Sequence, residues 1–121
     1  MRVILDTNAL MIPAQFKVDI FANLESLGYN EVMVPSSVLA ELERIKTKGR
    51  GKAKVHASIA IELAKKCQIL ESKGEFDREI ASLAKQYSAA VFTNDAQLRK
   101  NLRSKNVKTL FLRGKSKIES D

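Results

Sequence analysis

Cysteine and histidine are almost missing from this chain. Its 121 residues hold one of each, Cys67 and His56, which excludes an internal disulfide and a four-ligand zinc site. The lone thiol suits a reducing compartment and reads as a small core residue at the end of a helical pattern. His56, between Val55 and Ala57, reads as structural or surface-facing rather than as a general base. Tryptophan is absent, and the five Phe and two Tyr form no cluster, so no platform for stacking bases is visible. No apolar run approaches the ~20 residues that span a bilayer. The amino-terminal run is interrupted by Asp6 too early for a signal sequence. These absences lead us to expect a cytoplasmic protein with no membrane contact.

Acids are missing too, but only locally. The segment RIKTKGRGKAK, Arg44 to Lys54, carries six basic residues and no acid; Arg99 to Lys117 carries eight and none. The net charge is +7, and the clustering exceeds what solubility requires. Segregated basic surfaces suit a polyanion, nucleic acid first among them. The competing reading is a merely solvated basic surface.

What is present suffices for one core. Hydrophobic residues make up 45% and charged residues 29%, at the length of one ordinary domain. Short β-branched runs alternate with helical spacing. RVILD, EVMVP, QILE, AAVFTND and VKTLFLR read as strands. KVDIFANLESLG, SSVLAELERIK, AKVHASIAIELAKKC, EFDREIASLAKQYS and AQLRKNLRSK read as helices. Pro13 is expected to break the chain between a turn after Asn8 and the first of these helices, and Gly28 to stop that helix. Val55, Ile59, Leu63 and Cys67 form the expected core stripe of their helix. TKGRGK reads as a basic loop, and residues 114–121 as a frayed tail behind a domain of residues 1–113. Strands separated by helices imply an α/β domain with a parallel sheet and helices on both faces.

In such a sheet, ligands bind beyond the carboxyl ends of the strands. ILDTNAL places Asp6 at the end of the first strand, and VFTND places Asp95 at the end of the fourth. Asp77 falls in the first turn of its helix, and Glu41 in the second turn of the helix after the second strand. Carboxylates gathered at one edge suit a hard divalent cation, because Mg²⁺ takes oxygen ligands and keeps several waters. Each acid also has an ordinary reading. Asp77 and Asp95 can cap helices, and Glu41 can be a surface residue like Glu43. A helical wheel does not choose between these two glutamates, since both flank the stripe of Val38, Leu42 and Ile45. An aspartyl phosphatase or phosphoacceptor also has an acid after its first strand, but the phosphatase pattern wants a second aspartate where Asn8 stands.

The segments ILDTNAL, VPSSVLAELERI, FDREIASLA and VFTNDAQLR, in this order over nearly the whole chain, resemble the four motifs of the PIN-domain family of metal-dependent ribonucleases. The resemblance implies a three-layer α/β/α domain with sheet order 3-2-1-4-5, the first and fourth strands side by side. It carries catalytic and metal-binding roles onto Asp6, Glu41, Asp77 and Asp95, with one or two Mg²⁺ or Mn²⁺ ions, and chooses Glu41 over Glu43. Asn8 and Thr93 match polar positions that support the carboxylates. Some members have paired aspartates at the third motif where this chain has Phe76 before Asp77, so a second metal position is not assigned. QFKVDIF and the compact length resemble PIN domains of ribosome-processing endonucleases more than VapC-type toxins. The implied partner is therefore RNA, ribosomal RNA or its precursor. The toxin alternative implies an antitoxin-like protein, a third alternative is an inactive RNA-binding scaffold, and the family resemblance also allows a homodimer. Lys46, Lys48, Arg50, Lys52 and Lys54, with Arg99, Lys100 and Arg103, are expected to hold the RNA backbone, which positions RNA without reading its sequence.

Overall fold

The computed structural model describes the chain apart from Glu75 and the side chains of Phe76 and Asp77. Among the described residues, strands β1 (Arg2–Leu5), β2 (Glu31–Pro35), β3 (Gln68–Leu70), β4 (Ala89–Phe92), β5 (Thr109–Arg113) and β6 (Lys117–Ser120) form one sheet. Its order is β3-β2-β1-β4-β5-β6. The first five strands are parallel, and β6 runs antiparallel to β5. Parallel neighbours need long crossovers, supplied here by α1 (Thr7–Phe16), α2 (Ile20–Ser26), α3 (Ser36–Lys48), α4 (Lys52–Ala64), α5 (Phe76–Gln86) and α6 (Ala96–Ser104).

The strand period of two sorts side chains between two cores. Val3, Leu5, Val34 and Phe92 face the layer of α1 to α4, whereas Ile4, Met33 and Val91 face α5 and α6. β1 is buried on both faces, hence its unbroken apolar run. The result is the three-layer α/β/α sandwich with order 3-2-1-4-5, extended by one strand. No helix among the described residues is long and apolar enough to cross a membrane.

Four local expectations are corrected. Pro13 lies inside α1 rather than at a break. It removes one intrahelical hydrogen bond, but Ala9, Leu10, Met11 and Ile12 are 0–7% exposed, and their burial holds the helix. The break comes at Lys17, left-handed at φ 55°, and Asp19 caps α2 by accepting from the Ala22 N–H at 3.0 Å.

The core stripe of α4 is also different. Val55 and Ile59 are 58% and 42% exposed, while Ala57, Ala60, Ile61 and Ala64 are buried. α4 packs against both α1 and α3, and close helix approach favours small side chains. The apolar bulk of Val55 and Ile59 therefore pointed to the wrong face.

The basic loop expected over TKGRGK is shorter than that segment: α3 runs to Lys48 and α4 begins at Lys52. Gly49 donates to the Ile45 carbonyl at 2.7 Å, and a Cβ on it would lie 2.3 Å from that oxygen. Gly51 has φ 60° and ψ −132°, a region that side chains avoid.

The residues expected to fray form β6 instead. Ile118 enters the core opposite Leu112, and the ladder with β5 and the Arg113–Glu119 pair hold the rest of a polar strand.

Candidate active site at the carboxyl edge

β1 and β4 end in register, Leu5 against Phe92, so the residues that follow, Asp6 and Thr93, meet at the carboxyl edge. Asp6 is 3% exposed and Thr93 0%. Asp6 is the N-cap of α1, its Oδ1 accepting from the Ala9 N–H at 2.7 Å. The Thr93 hydroxyl accepts from the Asp95 N–H at 3.1 Å and lies close enough to Asp6 to favour its charged form. Asp95 Oδ1 accepts from the N–H groups of Gln97 and Leu98 at 3.0 and 3.1 Å, capping α6. Thr7, buried beside Asp6, donates its hydroxyl to Glu41 Oε2 at 3.1 Å. Segments from β1, α3 and the β4–α6 junction thus converge on Asp6. The capping reading of Asp95 is correct as far as it goes, but a cap engages one oxygen and leaves the other.

Electrostatics sets this edge apart. Burial pushes the Asp6 carboxyl from 3.8 up to about 6; Thr93 and Ala9 pull it down, and the charges of Asp95 and Glu41 push it up further. Among the described residues no basic side chain pairs with Asp6, Glu41 or Asp95. A desolvated carboxylate facing two others opposes folding unless a cation offsets it. The donors are all carboxylate oxygens, without thiol or imidazole, which fits Mg²⁺ or Mn²⁺ rather than a softer ion. Asp6, Asp95 and Glu41 would hold it. Among the described residues, no three His, Cys, Asp or Glu side chains form a ready-made metal cluster; the fit lies in donor chemistry and mutual influence.

The other candidates divide. The Asp77 side chain lies outside the described residues. Asn8 is exposed in the first turn of α1, and Glu43 is exposed without a bond like that of Glu41 to Thr7. Lys46, Lys48, Arg50, Lys52 and Lys54 are exposed on and around the α3–α4 turn, and Lys100 on α6. Arg99 and Arg103 are engaged internally: both meet the Asp121 carboxylate, at 3.0 and 2.9 Å. The Arg99 Nε approach is an ion pair without hydrogen-bond alignment.

Two supporting residues escaped the sequence reading. Thr7 holds Glu41, and Asn94 Oδ1 accepts from the Leu112 N–H at 2.7 Å, tying the β4 exit to β5. Their one signal was position, since both are polar residues directly after an apolar strand. A larger cleft of about 660 Å³, lined by Val32, Leu63 and Cys67 among others, lies at the amino edge and shares no residue with this set. Burial pushes the Cys67 thiol up to about 11, so it is not a nucleophile.

Comparison with known proteins identifies the family and the fold. Ribonuclease VapC9 of Archaeoglobus fulgidus is 28% identical over 115 residues, covering 95% of this chain and 85% of the relative. The structure of the PIN domain endonuclease Utp24 superposes with a TM-score of 0.77 at 25% identity, covering 99% of this chain and 90% of that one. A domain of a functionally unknown protein from Methanocaldococcus jannaschii shares the fold, with a TM-score of 0.67 at 16% identity over 93% of this chain and 91% of that one. A family profile described as a PIN like domain matches residues 3–115. The relatives carry the names ribonuclease and endonuclease, and the chain belongs to the PIN like domain family.

Proposed function

We propose that this chain is a divalent-metal-dependent endoribonuclease of the cytoplasm, with ribosomal RNA or its precursor as substrate. One observation carries the reading: Asp6 is buried at the end of β1 with the charges of Asp95 and Glu41 acting on it and, among the described residues, no cation side chain paired with them. Asp6, Asp95 and Glu41 would hold Mg²⁺ or Mn²⁺, and Asp77 is the fourth acid that the family resemblance assigns. A bound ion supplies Lewis-acid activation of water and neutralises charge on the phosphate and its leaving oxygen. The protein's own part is positioning. Thr93 fixes the backbone at Asp95 beside Asp6, Thr7 fixes Glu41, and the helix caps hold both aspartates in single orientations before substrate arrives. Exposed cations at the α3–α4 turn attract the RNA backbone. Asn8, at the mouth of the site, supports the carboxylates.

The test is cleavage of an RNA oligonucleotide with and without Mn²⁺, for wild type and Asp6→Asn, alongside thermal melts. We expect Mn²⁺-dependent cleavage by wild type alone, and a Mn²⁺-induced rise in Tm that the variant lacks. Full activity in Asp6→Asn, or cleavage indifferent to chelator, overturns the reading. RNA binding without cleavage points to a scaffold. A toxin is the second reading, favoured by the relative named ribonuclease VapC9. Growth arrest on expression, relieved by a neighbouring gene product, would establish it and an antitoxin-like partner.

A further inference from the structure

Beside Glu41 lies a cleft of about 500 Å³ that the carboxylate site does not use. It opens between the start of α3 and the segment that follows β3, at the same carboxyl edge. Ser37, Glu41 and Arg44 recur at helical spacing and present one face of α3 to it; Ser36, Ser72 and Lys73 line it as well. Ala40 lies in the middle of this helical face, where a small side chain leaves the space open.

The walls are fixed before any ligand arrives. Ser37 N–H donates to Ser72 Oγ at 2.8 Å, and Ser72 N–H donates to Ser36 Oγ at 2.9 Å. Beyond them, Glu79 accepts from the backbone N–H groups of Lys73 and Gly74. Ser72 therefore welds the chain after β3 to the first turn of α3. The two cations are different. Arg44 and Lys73 are exposed, and neither has an ion pair among the described residues.

We propose that this cleft is a backbone subsite, seating the phosphate and ribose of the nucleotide adjacent to the scissile bond. This rests on the nuclease reading above. Its volume falls within the range of small-ligand pockets, roughly 300–1,000 Å³. Its chemistry is that of a sugar–phosphate: two cations for the phosphate, and hydroxyls that can donate and accept for the ribose. Among the described residues no aromatic side chain lines it, so what they offer is a grip on the backbone that leaves the base unread. Glu41 faces both compartments. Its negative charge keeps a phosphate toward Arg44 and Lys73, and the scissile phosphate toward the cation.

The experiment compares wild type, Arg44→Gln/Lys73→Gln and Ala40→Leu on a labelled RNA oligonucleotide and on versions shortened by one nucleotide at a time from each end. The first variant removes the cations, and the second fills the cleft while keeping them. We expect each to raise KM about tenfold with kcat within twofold, and the penalty to vanish once the nucleotide occupying the cleft is trimmed away. The logarithmic salt slope of RNA affinity should fall by about 0.7 per removed cation. Wild-type cleavage with variants that keep its KM overturns the subsite alone. A penalty that survives trimming from both ends also overturns it. Wild type that neither cleaves nor binds RNA removes the nuclease reading and the subsite together.

Discussion

Arg99 and Lys52 both belong to acid-free basic runs, yet they live in unlike surroundings. Along the β5–β6 edge the charges are matched. Arg99 stacks 4.6 Å above the Phe111 ring, shares Asp121 with Arg103, and has only 18% of its side chain exposed; Arg113 pairs with Glu119. At the carboxyl edge and the α3–α4 turn the charges are unmatched. Asp6 is buried facing like charges. Lys52 and Lys54 stand in the first turn of α4, where the helix dipole is already positive and no side chain caps the end. Matched charges are explained by the fold that matches them. Charges held against the fold's own electrostatics call for a partner outside it: a cation at Asp6, a polyanion at the turn.

The comparison breaks first at Asp6. Asparagine can still accept the Ala9 N–H and cap α1, so Asp6→Asn should fold, bind RNA at least as tightly, and lose cleavage by roughly 10³-fold or more. Single-turnover cleavage in Mn²⁺ checks this, and activity within tenfold of wild type would place the chemistry elsewhere. The same variant should behave oppositely in stability. The Asp6 carboxyl is raised from 3.8 to about 6, so the folded state holds its proton more tightly than the unfolded chain. Its contribution is fully present below about pH 4 and is lost as pH rises through about 6. At ~1.4 kcal/mol per pH unit, the metal-free protein loses up to ~3 kcal/mol over that window. Asp6→Asn should lack this loss and be the more stable protein at pH 7.5 in chelator, by urea titration. Equal pH dependence for the two proteins would show that Asp6 is not strained.

The strand–helix alternation was legible because β1, β2, β4 and β5 carry apolar runs and their crossovers carry helical spacing. Asp6 and Asp95 were legible for the same reason: an acid stands out directly after a buried run. What stayed hidden depends on partners far away in sequence. The buried face of α4 is made of alanines, which carry little hydrophobic signal, and only the neighbouring helices require them to be small. β6 carries a single core side chain, Ile118, and otherwise depends on pairing with β5. The wheel of α3 could not separate Glu41 from Glu43, because what distinguishes them is the hydroxyl of Thr7, 34 residues earlier. Nothing in RKNLR reveals that Arg99 and Arg103 share an acid at position 121.

The matched edge should respond in the reverse sense. Burial alone would raise the Asp121 carboxyl, but Thr109, Arg103 and Arg99 outweigh it and hold it below its usual value. A depressed acid stabilises the fold above its unfolded pKa of 3.8 and loses that contribution as pH falls further. Asp121→Asn should therefore destabilise by about 1 kcal/mol at neutral pH, with kcat for RNA unchanged and affinity somewhat raised as Arg99 and Arg103 lose their competitor. Chemical denaturation at pH 7.5 and at pH 3 measures both halves; a loss that persists undiminished at pH 3 would assign the effect to packing.

The smallest change is expected at the α3–α4 turn. Lys52→Gln/Lys54→Gln removes two cations from the positive end of a helix, so stability should rise by a few tenths of a kcal/mol. RNA affinity should fall, and its logarithmic salt slope should drop by about 1.4, or 0.7 for each cation on a single strand. The two signs together are the diagnostic. A solvated surface gives the stability gain with an unchanged slope, whereas an RNA-facing one gives both. If instead the double variant is less stable than wild type, these lysines are held by contacts within the fold, and the contrast with Arg99 disappears.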